Sequence, residues 1–134
     1  ERWLIEESAS LGIADRVSFA GFVRGNDLNR LYQRADLYVM PSVSEPFGIT
    51  SLEALANGTP IMVSRQSGVG EMVSHCLKVD FWDVDQIANK IMAVVKYPEL
   101  RQTLHHNGST EVHKFSWKRS AQKCVTVYHK VLRA

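Results

Sequence analysis

The sequence predicts an α/β domain built on a parallel sheet. Three observations lead there. Short apolar runs of strand length, at residues 17–20, 37–40, 61–63 and 77–79, alternate with longer segments of helical periodicity. The runs at 37–40 and 61–63 enclose one loop and one helix, the unit that crosses over between parallel strands. The loops expected to leave the carboxyl ends of the strands, at 21–25, 41–48 and 64–70, share one rim, where open α/β sheets bind ligands. Two or more glycines punctuate the first and third of them.

The elements follow in chain order. Residues 2–11 read as a helix with Trp3, Leu4, Ser8 and Leu11 on one face, stopped by Gly12. Val17-Ser18-Phe19-Ala20 is expected as a strand. Asn26 is placed to cap the next helix, whose Leu28, Leu31 and Tyr32 face the core. After the strand at 37–40 comes a helix with Ile49, Leu52, Leu55 and Ala56 at helical spacing. Asn57-Gly58-Thr59-Pro60 ends it, with Gly58 suited to the left-handed position and Pro60 unable to continue. A strand at 61–63, a two-glycine loop, a short helix from about Glu71 and a small strand at 77–79 follow. Asp83 then caps a helix striped by Val84, Ile87, Ala88, Ile91, Val94 and Val95. Pro98 opens the next helix, which is expected to fray near Asn107-Gly108. Ser116 caps a last helix with Trp117, Ala121, Cys124, Tyr128 and Val131 in phase, Cys124 being expected in the core.

Composition narrows the function. A chain of 134 residues suits one core and one domain. A net charge of +2 is too small to argue for nucleic acid or an anionic membrane. No run is long and apolar enough to span a bilayer. Cys76 and Cys124 have neither metal nor redox spacing. A cytoplasmic location is expected, the parent protein being either free or peripheral to the inner face of a membrane. The chain opens at Glu1 rather than Met and so reads as a fragment.

The chemistry gathers at the front of the helix that follows residues 41–48. Gly48 has no Cβ, which lets a ligand approach the backbone. The first amides of a helix lack partners and sit at its positive end. The amides of Gly48, Ile49 and Thr50 could therefore hold a phosphate. Glu45 and Glu53 flank the spot, and carboxylates beside a phosphate site are best used on hydroxyls. Together these point to a sugar–phosphate ligand. A purely structural reading competes: Thr50-Ser51-Leu52-Glu53 fits a capping box, with Glu53 reaching back to the N-cap amide.

At Pro41-Ser42, Glu45-Pro46-Phe47-Gly48, Leu52-Glu53-Ala54 and Gly58-Thr59-Pro60 the chain resembles the glycosyltransferase group 1 family, the family 4-like retaining enzymes of GT-B architecture. Glu45 and Glu53 stand where that family has its paired glutamates. The resemblance runs from Val17 to about Tyr128. It implies a Rossmann-like sheet with helices on both faces. Residues 1–134 would be most of the C-terminal, donor-binding lobe, N-terminally truncated, its first strand missing and its N-terminal acceptor-binding lobe elsewhere in the parent.

The resemblance also implies roles. Glu45 would lie by the reacting carbon of the donor sugar, and Glu53 would accept from the ribose hydroxyls. Phe47, Gly48 and Ile49 would offer amides to the sugar and diphosphate, with Thr50 adding its amide or hydroxyl. Val23 would lie against the base. Trp117 would serve packing. The parent would move a sugar from a nucleotide diphosphate sugar to a hydroxyl acceptor with retention, needing neither metal nor cofactor. A nucleotide-sugar epimerase of the same architecture and a non-catalytic nucleotide-sugar-binding module are the alternatives.

Two departures from the family pattern stand out. Ser67-Gly68-Val69-Gly70-Glu71 has serine where the family has its first glycine, and Glu71 reads best as a favourable helix start. The stretch 75–80 lacks the family's glycine-bearing turn. His105, His106 and His113 diverge in direction and lack a completing ligand, which argues against metal. Arg24, Arg65, Lys118 and Arg119 read as solvated, with Arg24 and Arg65 on the expected rim. No G-x-G-x-x-G opens a βαβ unit, so a dinucleotide oxidoreductase is disfavoured.

Overall fold

A computed structural model describes residues 1–133. Three parallel strands, β1 (Tyr38–Met40), β2 (Ile61–Ser64) and β3 (Leu77–Val79), lie in the order β1-β2-β3. Tyr38 pairs with Ile61, and Met62 with Leu77. β2 is the centre, and all four of its residues are buried, as a near-continuous apolar run in a parallel sheet should be. The helix α3 (Ile49–Ala56) connects β1 to β2, and α4 (Gly68–Met72) connects β2 to β3. The core joins Leu55 and Ala54 of α3 to Ile61 and Val63 of β2, to Val69 of α4 and to Val73 just after it. Each fully buried aliphatic side chain of this kind contributes roughly 1.5–3 kcal/mol.

The helix signals hold at several ends. Gly58 takes the left-handed φ of +86° just past α3. In α5 (Val84–Lys96) the Asp83 carboxylate accepts from the Gln86 amide at 2.9 Å. Pro98 opens α6 (Pro98–Val112). Ser116 Oγ accepts from the Arg119 amide at the start of α7 (Trp117–Leu132).

Other expectations are corrected. Residues 17–20 form no strand. A lone run gains ladder hydrogen bonds only against a neighbour, and β1 pairs on one side only, with β2. The first loop therefore follows no strand; of the three loops expected on the rim, those at 41–48 and 64–70 leave strand ends. α2 (Gly25–Arg34) begins one residue before Asn26, at N-cap Arg24 with no side-chain cap; Tyr32 is buried, whereas Leu31 is exposed. α4 starts at Gly68, not near Glu71, because Ser67 Oγ accepts from Gly70 N at 3.2 Å and serves as its cap. Glu71 falls in the first turn of that helix.

α6 runs straight through Asn107-Gly108. Gly108 is buried, and a Cβ there would sit 2.5 Å from Leu55 Cδ2. The glycine lets α6 approach α3 closely; it does not end a helix. The terminal helices differ from expectation too. α1 (Arg2–Ser10) forms, but Trp3 is 68% exposed and only Ser8 is buried. α7 buries none of its residues, so Cys124 is exposed rather than in the core.

Candidate functional site

The site is built where β1 hands the chain to α3. Gly48 is the N-cap of α3 and takes φ +94°, a left-handed conformation that side chains resist. A Cβ at Gly48 would lie 2.9 Å from Met40 Cε and 3.0 Å from Val69 Cγ1. Dihedral and packing together restrict the position to glycine. Beyond it, the amides of Gly48, Ile49 and Thr50 donate to nothing among the described residues. The first amide returned to the chain is Ser51 N, which reaches Gly48 O at 3.1 Å. Three unpartnered amides at a helix start form an anion cradle.

Glu45 is held beside this turn. It is half-buried, and one carboxylate oxygen accepts from Phe47 N at 3.3 Å. Its backbone is fixed by the neighbouring loop: Gly68 N donates to Glu45 O at 3.0 Å, and Val69 N to Phe47 O at 2.6 Å. The first amides of α4 are thus spent on protein carbonyls. A Cβ on Gly68 would fall 2.2 Å from Pro46 O, so glycine is what lets the two loops lie together.

Glu53 is the fifth residue of α3 and is exposed, its carboxylate facing the Tyr32 phenol. The capping-box reading is corrected, since the N-cap is Gly48 and not Thr50. The carboxylate lies near Tyr32: burial, then Tyr38, then Glu53 raise the Tyr32 phenol above its ordinary value. Thr50 has its hydroxyl engaged by Tyr38 Oη at 2.9 Å, which leaves its amide for a ligand.

The apolar stripe expected on α3 is rotated. Ser51, Ala54 and Leu55 are buried, while Ile49 and Ala56 face out. They face a groove of about 570 Å³ between α3 and the start of α7. Phe47, Ile49 and Glu53 line one wall, and Phe115, Trp117 and Arg119 the other. Trp117, for which the resemblance implied packing, is 83% exposed. Arg119 donates to Lys114 O at 2.9 Å. Glu45 lies outside this lining, and so does Val23, half-buried in the irregular segment before α2.

The remaining candidates have local employment. Arg24 stacks over the Phe22 ring at 4.3 Å, and Arg65 pairs with Asp80 at 3.6 Å. His105 Nδ1 is hydrogen-bonded to Gly58 O. A second cavity, of about 280 Å³, lies near His105 and Arg101, at the ends where β1 and β2 begin. That is the wrong end of the sheet for a ligand in this architecture.

The sequence model of one family, "Glycosyl transferases group 1", matches residues 1–111. The chain belongs to that family. An uncharacterized glycosyltransferase of Methanocaldococcus jannaschii is 40% identical over 123 residues, covering 88% of this chain and 31% of that protein. Mannosylfructose-phosphate synthase of Agrobacterium fabrum is 35% identical over 128 residues, covering 92% and 28%. The chain thus spans about a third of the length of these relatives. The sucrose-phosphate synthase of Thermosynechococcus elongatus superposes with a TM-score of 0.87 at 30% identity, over 98% of this chain and 34% of that one. HepE of Anabaena, at 23% identity and TM-score 0.87, covers 96% and 36% and shows the same fold. The Rossmann-like sheet of the GT-B glycosyltransferases is therefore the fold of this group 1 chain.

Sequence reasoning missed one buried acidic residue. Glu111, 5% exposed, reaches from α6 to the turn after α4, where its carboxylate accepts from Ser74 N at 3.1 Å and His75 N at 2.8 Å. The signal was present, since Glu111 shares a helical face with Gly108 and Val112, both buried.

Proposed function

We propose that this chain is the donor-binding lobe of a retaining glycosyltransferase, whose parent moves a sugar from a nucleotide diphosphate sugar to a hydroxyl acceptor. The observation that carries the reading is the set of three unpartnered amides at Gly48, Ile49 and Thr50, with Glu45 fixed beside them and Glu53 exposed one turn on. Such amides suit the diphosphate. Carboxylates with acceptor capacity to spare suit hydroxyl donors on the ribose and the sugar.

Gly48, Ile49 and Thr50 form the backbone cradle in this reading, with Phe47, whose amide donates to the Glu45 carboxylate, at its edge, and Glu53 holds the ribose. Glu45 sits by the anomeric carbon, where positive charge develops as the phosphate leaves. Val23 lies against the base once the segment before α2 has neighbours. The leaving phosphate helps deprotonate the acceptor on the same face, and the protein supplies charge stabilisation and position. The reading requires no metal. The acceptor approaches from the other lobe of the parent.

The test is a donor screen on the full-length parent. Nucleotide sugars are assayed for protection against thermal unfolding and then for transfer, with the anomeric configuration of the product read by NMR. Protection by one nucleotide-sugar class followed by transfer with retention is expected. Transfer with inversion, or no protection by any nucleotide sugar, would sink the reading.

A further inference from the structure

The turn between α4 and β3 is held by a side chain from another helix. Residues 71–107 contain no glycine, so the chain must turn here with ordinary residues, and Val73 leaves α4 in an extended conformation. The Ser74 amide points at both oxygens of Glu111, at 3.1 Å each, and the His75 amide donates to one of them at 2.8 Å. His75 Nδ1 lies 3.1 Å from the same oxygen. A carboxylate that is 5% exposed costs free energy unless its oxygens are satisfied, and here they are.

The other end of α4 is what makes this more than a local clamp. α4 is only five residues long and nearly inextensible: Val73 N closes on Val69 O at 2.9 Å, and Val69 and Val73 are both buried. Its leading amides, on Gly68 and Val69, donate to the carbonyls of Glu45 and Phe47. Those two residues bracket the turn into Gly48. α6 itself is fixed, because Gly108, one turn before Glu111, seats against Leu55 of α3. A path of hydrogen bonds, joined by the Val73–Ser74 peptide link, therefore runs from Glu111 through Ser74 and α4 to the backbone of Glu45 and Phe47.

We propose that Glu111 is a positioning residue for the donor site, holding α4 so that its first amides fix the Glu45–Phe47 turn against the cradle. This rests on the donor-lobe reading. Glu111 touches no ligand; it sets where the ligand-binding backbone stands.

The experiment uses the full-length parent and three variants: Glu111→Gln, which keeps the shape but weakens the acceptor, Glu111→Ala, and Val94→Ala. Val94 is buried in α5, outside the cluster around α3, and supplies a core defect away from this path. Kinetics with the donor found in the screen are measured well below each melting temperature and normalised to folded protein. Amide hydrogen exchange is followed by NMR in the same samples.

The two Glu111 variants are expected to lose about tenfold or more in kcat/KM, the glutamine less than the alanine, and to exchange faster at Gly68 and Val69. Val94→Ala is expected to keep both. Equal kinetic loss in Val94→Ala, or unchanged exchange at Gly68 and Val69 in the Glu111 variants, overturns the proposal. A parent that binds no nucleotide sugar removes the donor reading instead, and exchange at Gly68 and Val69 then decides alone whether the clamp exists.

Discussion

Glu53 and Glu45 differ in what surrounds them, and that difference sets what each substitution should do. Glu53 is exposed and free of the α3 cap. Glu53→Gln in the full-length parent should therefore leave the melting temperature nearly unchanged. It should weaken nucleotide binding by roughly tenfold or more, since a buried hydroxyl left without its acceptor costs about 1–3 kcal/mol. Titration calorimetry checks it, and unchanged affinity would remove Glu53 from the donor site. Glu45 is held by backbone on both sides, so its carboxylate can be aimed. Glu45→Ala should cut turnover far more than nucleotide affinity, because charge develops on the sugar in the transition state. Equal losses in both would make it an ordinary binding residue. At this scale the sequence was informative: the amides, the glycine and both glutamates were legible from 41–60. Their arrangement was not. Nothing in the sequence says that Ile49, rather than a polar residue, faces the groove beside Glu53.

Among the elements, some helix ends were easy to read and helix partners were not. Ser116, Asp83 and Gly58 act within a few residues of themselves, so local chemistry suffices. Gly108 and Glu111 act on residues far away in sequence, and each was hidden for that reason. Gly108 reads as a helix end until Leu55 is seen against it. Glu111 has a consequence in acid. Burial pushes its carboxyl up, but the His75 and Ser74 amides, the His75 ring and the charge on that ring outweigh this and bring it below the ordinary value of 4.5. A carboxyl lowered by folding contributes stability that is complete above its unfolded value. That contribution is lost as pH falls toward the folded value. The urea midpoint of wild type should therefore exceed that of Glu111→Gln at neutral pH, and the gap should narrow as pH drops below 4.5. A gap that stays constant through acid would show that the carboxylate's charge is not what holds the turn.

For the molecule as a whole, the strand expected at 17–20 shows where reading a sequence alone must fail. Its composition is right for a strand, but a strand is a property of a pair, and β1 pairs only with β2. Leu4 and Trp3 of α1 and Val131 and Leu132 of α7 remain exposed for the same kind of reason. The chain covers about a third of its relatives' length, 31% and 28% for two of them. Expressed alone, it is expected to self-associate with rising concentration through the open edge of β1 and these apolar faces. It should show no sugar transfer. Sedimentation and a radiolabelled-donor assay check both halves. Transfer by the isolated chain, free of host enzyme, would overturn the two-lobe reading.

The turn at Gly48 has a handedness, and this can be turned into a tool. Its φ of +94° is forbidding to L-residues but natural for their mirror images. The contacts at 2.9 and 3.0 Å with Met40 and Val69 are those of an L-methyl; a D-methyl projects from the other side of Cα. Semisynthesis that places D-alanine at position 48 should accordingly spare the backbone conformation, whereas L-alanine should strain it. The D-methyl would thereby avoid the two contacts with Met40 and Val69 while adding bulk at the residue that opens the cradle. Circular dichroism is expected to show a fold kept with D-alanine and weakened with L-alanine, while donor binding falls with both. Full donor affinity in the D-alanine protein would mean that no ligand comes close to this backbone.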